Sequence, residues 1–227
     1  MTTHRPMEIA LQFDEAMKRH GPTASVGPAS FTVSFGETVA LRGHNGSGKS
    51  TLLECAAGLT DLDAGAIRVG GCPAGELLAR ATVSFVPDHP VLYDDLSLRE
   101  HVEYLTRLYG AEPDVSEVNR LVGMFELTDW MDDLPSRFSR GMRQKTALII
   151  ALTRPFSVLL LDEPFSGLDE RGASALRRLL REVGRAKAAV LVATHDAPSD
   201  VFDRVVKLDG GRIVSDSPVE PGSEWDA

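Results

Sequence analysis

The segment Gly43-His44-Asn45-Gly46-Ser47-Gly48-Lys49-Ser50, continued by Thr51, places glycine and then Gly-Lys-Ser five residues later, at the junction of a predicted strand and a predicted helix. That spacing suits phosphate chemistry. Glycines 43, 46 and 48 let consecutive backbone N–H groups turn inward around a phosphate, and the helix N-terminus adds the positive end of its dipole. Lys49 supplies a charge to the outer phosphate oxygens, and the Ser50 hydroxyl can ligate Mg²⁺. A second constellation, Val158-Leu159-Leu160-Leu161-Asp162-Glu163, puts two carboxylates directly after an apolar run of the kind buried in a parallel sheet. Asp162 is placed to hold Mg²⁺, and Glu163 to polarise a water attacking the terminal phosphate. His195 follows the apolar run Ala189 to Ala193 and gives that edge a third polar group.

The elements that must position these groups can be read from period and punctuation. Met7 to Phe13, Ala29 to Phe35 and Glu37 to Arg42 read as short strands separated by turns at Gly21-Pro22 and Gly27-Pro28. A helix is expected after the glycine-rich loop, to Ala57. Strands follow at Ala66 to Val69 and Thr82 to Val86, around a small helix at 75–80. From Ser97 the apolar steps are helical (Leu98, Val102, Leu105, Tyr109; Val115, Val118, Val122, Phe125), so 97–153 is expected to be mostly helix. Two buried strands, a connecting helix of about 15 residues and a hairpin around Gly210-Gly211 complete the chain. Arg140, Arg143, Lys145, Arg177, Arg178 and Arg181 read as solvated helix charges.

The 227 residues carry 24 basic against 33 acidic side chains, a formal charge of −9. A backbone of phosphodiesters is repelled by that balance, so nucleic acid is not an expected partner. Cys55 and Cys72 are too few and too far apart for a thiol redox pair or a zinc site. The first residues lead into no apolar signal segment, and no run approaches the roughly 20 apolar residues of a membrane span. A cytoplasmic chain is expected, with any membrane crossing made by another subunit.

Three further segments carry a resemblance to the ATP-binding cassette family of transporter ATPases. Phe138-Ser139-Arg140-Gly141-Met142-Arg143-Gln144 is similar to the family signature, Ser166-Gly167-Leu168-Asp169 to its D-loop, and Thr194-His195-Asp196 to its switch histidine. The resemblance spans about residues 7–215, with every motif in the family's order. It implies one α/β nucleotide-binding domain: a P-loop NTPase core with a mixed, mostly parallel sheet (about 7–87 and 154–215), an N-terminal antiparallel β subdomain, a helical insertion (about 90–153) and a polar tail (about 216–227). It further implies ATP and Mg²⁺ as cofactors, ATP hydrolysis with Glu163 and His195 catalytic, and a second nucleotide-binding domain as partner, a homodimer. Ser139, Arg140, Gly141, Met142 and Asp169 then act across the dimer. A separate transmembrane permease subunit would dock beside the apolar stretch of Val91-Leu92-Tyr93 with Leu96 and Leu98, with the chain peripheral on the inner face of the cell membrane; ordinary packing is the alternative reading of that stretch.

The sequence departs from the family pattern twice. Asp88, in Val86-Pro87-Asp88-His89-Pro90, stands where glutamine is usual, bringing a third carboxylate and possible metal ligand to the site. His20 stands where an aromatic normally stacks on adenine; the alternative is a turn residue, with Phe13 or nothing against the base. Export is implied by the exporter-like segments 87–90 and 138–144. Two rivals stay open: a cassette ATPase not engaged in transport, and a low-turnover ATP-dependent dimerisation switch.

Overall fold

The computed structural model describes residues 8–21, 24–196 and 199–220, without the side chains of His20, Ala24 and Ser199. Its centre is a six-stranded sheet. The strands involved are β3 (Thr38–Arg42), β6 (Val83–Val86), β7 (Val158–Asp162), β8 (Ala189–Thr194), β9 (Arg204–Asp209) and β10 (Arg212–Pro218), in the order β10-β9-β3-β8-β7-β6. All neighbouring pairs are parallel except the edge hairpin β9–β10. A second, antiparallel sheet holds β1 (Ile9–His20), β2 (Ala24–Ser34), β4 (Ala64–Val69) and the two-residue β5 (Cys72–Pro73), in the order β2-β1-β4-β5.

Strands β7 and β8 are buried along their whole length. Covered on both faces, such strands must be apolar throughout, which is why Val-Leu-Leu-Leu and Ala-Val-Leu-Val-Ala recur here. Alternation then sorts their side chains. Val158, Leu160, Leu191 and Ala193 pack with Leu52, Leu53, Phe13 and Val69, toward helix α1 (Lys49–Ala56) and the antiparallel sheet. Leu159, Leu161, Val190 and Val192 face the opposite core, shared with α3 (Leu98–Leu108), α4 (Val115–Met124), α5 (Arg140–Thr153) and α6 (Glu170–Arg185). Helix α2 (Leu77–Thr82) precedes β6. The helical segment therefore shares one continuous core with the sheet: Val102, Leu121 and Phe125 belong to the same cluster as Leu159 and Leu176.

Helix starts follow their sequence signals. Ser97 and Glu100 form a reciprocal capping box on α3, Asp114 caps α4, and Asp169 caps α6 through Gly172 N–H at 3.0 Å. One punctuation signal misleads. Gly27-Pro28 does not separate two strands: β2 runs through it, and Gly27, at φ +99°, forms a bulge pressed on β1, where a Cβ would stand 2.1 Å from Ala16 O. Accordingly β1 extends to His20 rather than ending near Phe13, and the register slips between Ala16 and Lys18. At the other end, β10 carries strand structure to Pro218, inside the segment expected as tail.

Candidate active site

Four strands deliver the site from their carboxyl ends, the edge at which parallel α/β sheets bind ligands. Arg42 ends β3 and opens the glycine-rich loop; Asp162 ends β7 beside Ala193 of β8; Thr194 ends β8 just before His195; Val86 of β6 precedes Asp88 by two residues. Asn45, Gly46, Gly48, Lys49, Ser50, Thr51, Asp88 and Glu163 line one cleft of about 270 Å³, joined by Ser25 and Val26 of β2. The last two were not evident from residue type. Their signal is steric: Gly48 adopts φ +105°, and a Cβ there would lie 2.3 Å from Val26 Cγ2, so β2 closes over the loop only because residue 48 is glycine.

Lys49 is buried, and its ammonium donates to Gly43 O at 2.7 Å and His44 O at 3.3 Å, with Glu163 Oε1 3.4 Å away. Glu163 occupies a left-handed conformation (φ +44°) that a non-glycine residue holds only under constraint. The constraint is visible. Its N–H donates to Ala193 O at 2.9 Å, while Oε2 sits 2.9 Å from His195 Nδ1. The carboxylate is thus suspended between a cation from the loop and an imidazole from the next strand. His44 turns away from the cleft toward Asp209, 3.1 Å distant. Ser47 is buried, with no hydrogen-bond partner for its hydroxyl among the described residues.

Asp162 lies beneath this edge, 4% exposed. Burial pushes its carboxyl above the usual range, a hydrogen bond from Ser50 opposes that, and Glu163 and Asp88 add to the upward shift. Asp162 Oδ1, Glu163 Oε1 and Asp88 Oδ1 are all buried without hydrogen-bond partners among the described residues. Glu163 Oε1 and Asp88 Oδ1 have cationic side chains at 3.4 and 3.6 Å. Asp162 Oδ1, beside the Ser50 hydroxyl, has no ion-pair partner among the described residues and suits a cation. Yet no three side chains among the described residues converge into a protein-only metal cage. Mg²⁺ does not require such a cage, because it keeps waters and phosphate oxygens in its shell and takes few protein ligands.

Asp88 also faces outward, with Oδ1 3.6 Å from Arg140 Nη2 and Oδ2 3.6 Å from His89 Nε2. Arg140 donates to Ser166 Oγ at 2.9 Å, tying the start of α5 to the loop after β7. Gly141 touches the same loop, where a Cβ would meet Gly167 O at 2.6 Å. Ser139 is the N-cap of α5, accepting from Met142 N–H at 3.2 Å. None of Ser139, Arg140, Gly141 and Met142 lines the phosphate-loop cleft of its own chain. Lys145 corrects an expectation: it is buried rather than solvated, because α5 packs against the start of α6 and Lys145 Nζ pairs with Asp169 Oδ1 at 2.9 Å. Arg140, though exposed, is likewise engaged rather than simply solvated. The His20 assignment concerns a side chain outside the described residues.

The family model described as ABC transporter matches residues 26–166, which include the phosphate loop, Asp88, the Ser139–Met142 turn and Asp162-Glu163. This chain belongs to the ABC transporter family. Among curated members, the SkfA peptide export ATP-binding protein of Bacillus subtilis is 32% identical over 86% of this chain and 85% of its own. The sulfate/thiosulfate import ATP-binding protein of Synechococcus elongatus is 33% identical over 94% of this chain, which spans 66% of that relative's length. The solved structure of an ATP-binding subunit of an ABC transporter superposes with TM-score 0.83 at 31% identity, covering 92% of this chain and 90% of the other. The α/β core with its antiparallel sheet is therefore the ABC ATPase fold.

Proposed function

We propose that this chain binds Mg²⁺-ATP and hydrolyses it as the ATP-binding subunit of a membrane transporter. The observation that carries the reading is the position of Glu163, held between Lys49 and His195 at the mouth of the phosphate-loop cleft. The loop's N–H groups and Lys49 bind and orient the phosphates. Glu163 accepts a hydrogen bond from the attacking water and draws off its proton, with His195 fixing the carboxylate's orientation and reaching the terminal phosphate. Ser50, Asp162 and Asp88 are the residues that would hold Mg²⁺, which would supply charge neutralisation to the bound phosphates.

A second copy of the chain completes each site. Ser139 and Gly141 do not line their own phosphate-loop cleft, and a donor set at the N-terminus of α5 suits a terminal phosphate presented by another chain. No helix among the described residues is long and apolar enough to cross a membrane. A separate transmembrane subunit is accordingly part of the proposal. It docks in the groove of about 480 Å³ that runs beside Val91 and Tyr93, with the chain peripheral to the membrane. Export is the favoured direction, on the exporter-like segments 87–90 and 138–144 and the 32% identity to the peptide-export relative over 86% of this chain.

The test is phosphate release from Mg²⁺-ATP with and without the membrane subunit, with Glu163→Gln as control. Turnover that needs Glu163 and rises with the membrane subunit supports the reading. Tight ATP binding without turnover in both preparations overturns it in favour of a switch.

A further inference from the structure

The docking groove contains a charge that the mechanism does not use. Arg154, at the end of α5, is 8% exposed, yet it forms no ion pair among the described residues. Its one hydrogen bond there runs from Nη1 to Pro155 O at 3.3 Å, and its Cζ lies 3.8 Å from the centroid of the Tyr109 ring. A guanidinium has five N–H donors in a planar fork, so most of its donor capacity is unmet among the described residues. A buried cation without a carboxylate is costly and becomes favourable once a well-aligned one arrives.

Its surroundings form a built receptor. Val91, 95% exposed, stands on the groove wall with Tyr93, Leu105 and Ile150. The loop is pinned from beneath by buried His101, whose Nε2 accepts from Tyr93 N–H at 2.9 Å while Nδ1–H donates to Ser97 O at 2.8 Å. Arg80 and Glu54 line the same groove, so both signs occur there. Arg154 is the arginine of the two that is kept out of water, and a partner's carboxylate is recognised most strongly where solvent does not compete.

We infer that Arg154 is the carboxylate receptor of this groove, and that the occupant is a short amphipathic segment of the membrane subunit. Its apolar face rests on Val91, Tyr93 and Leu105, and one of its aspartate or glutamate side chains pairs with the guanidinium. This rests on the docking reading above and adds a charge requirement that sorts cognate from non-cognate membrane subunits.

The experiment uses the whole chain and capped helical peptides of about 15 residues with one apolar stripe and a single varied position carrying Glu, Gln or Lys. Titration is followed by fluorescence of a dye on the peptide. The Glu peptide is expected to bind about tenfold more tightly than the Gln peptide, with Lys weakest. That order should collapse in Arg154→Gln, return in part in Arg154→Lys, and persist in Arg80→Gln; nucleotide binding reports that each variant is folded. Should Arg154→Gln fail to fold, the order on the unaltered chain, with Arg80→Gln as comparison, still decides. Equal binding of the three peptides, or a preference that disappears with Arg80, overturns the assignment to Arg154 and leaves the docking reading in place. Absence of binding, or binding indifferent to Val91→Asp, overturns both.

Discussion

Nδ1 of His195 lies 2.9 Å from Oε2 of Glu163, and the same oxygen accepts from His195 N–H at 3.4 Å, joining the ends of neighbouring strands through one carboxylate. The same carboxylate reaches Lys49 at 3.4 Å with its other oxygen. Because these groups act as one unit, their losses should not add. Glu163→Gln is expected to lower phosphate release by about 10²–10⁴-fold with ATP affinity nearly unchanged. His195→Ala should fall in the same direction, and the double variant should be no worse than Glu163→Gln alone. Multiplicative losses in steady-state assays would separate the two roles.

Asp162 offers a prediction about stability. Its carboxyl is pushed above the ordinary value of 3.8, chiefly by burial, so the folded chain holds this proton more tightly than the unfolded one. The group's contribution therefore worsens as pH rises from about 3.8 through the folded-state value, and stays unfavourable above it. Asp162→Asn in a metal chelator should melt above the parent at pH 7, with the gap closing toward pH 4. The same variant should lose the thermal gain that Mg²⁺-ATP gives the parent. A Tm at or below the parent's at pH 7 contradicts this account.

The pair of Lys145 and Asp169 is asymmetric, because Lys145 has a side chain 10% exposed and Asp169 one that is 56% exposed. Removing the exposed partner strands a buried ammonium, whereas removing the buried one strands only a solvated carboxylate. Asp169→Asn, which keeps a good helix cap, should cost about 1–2 kcal/mol after allowance for Asp169's exposure. Lys145→Met should cost less. Urea unfolding of both variants and the double variant measures the order, and the reverse order refutes it.

Asp88 stands between the cleft and Arg140. Asp88→Asn removes a possible Mg²⁺ ligand and releases Arg140 from its 3.6 Å contact, leaving the phosphate loop intact. The Mg²⁺ concentration for half-maximal hydrolysis should shift by more than the Kd for ATP does. Superimposable metal titrations of parent and variant would remove Asp88 from the metal's surroundings.

Much of this site was legible in the sequence because its residues follow strands that announce themselves. Val158 to Leu161 and Ala189 to Ala193 are unbroken apolar runs, so Asp162, Glu163 and His195 had to emerge at one edge of a buried sheet. The glycine loop needed only its own spacing. What stayed hidden depends on contacts distant in sequence. Lys145 looks like any helix charge until α6 sets Asp169 against it. Gly27-Pro28 has the composition of a turn, and only its approach to Ala16 reveals a bulge within a continuing strand. Val26 and Ser25 carry no chemistry of their own and enter the site through the second sheet folding over Gly48. His101 is an ordinary helical residue until the loop before it is seen leaning on both ring nitrogens.

The strand order gives the site a measure of length. β8 lies between β3, which carries the glycine loop, and β7, which carries Glu163. Two strand steps of about 4.8 Å each separate the backbones of β3 and β7, and side chains bridge that gap: Lys49 Nζ stands 3.4 Å from Glu163 Oε1. On the proposed reading, a nucleotide held by the loop lies beside Glu163, with His195 of the intervening strand against the same carboxylate. The sheet thus acts as a frame: strand spacing sets where the loop, His195 and Glu163 stand relative to one another, and their side chains close the remaining distance.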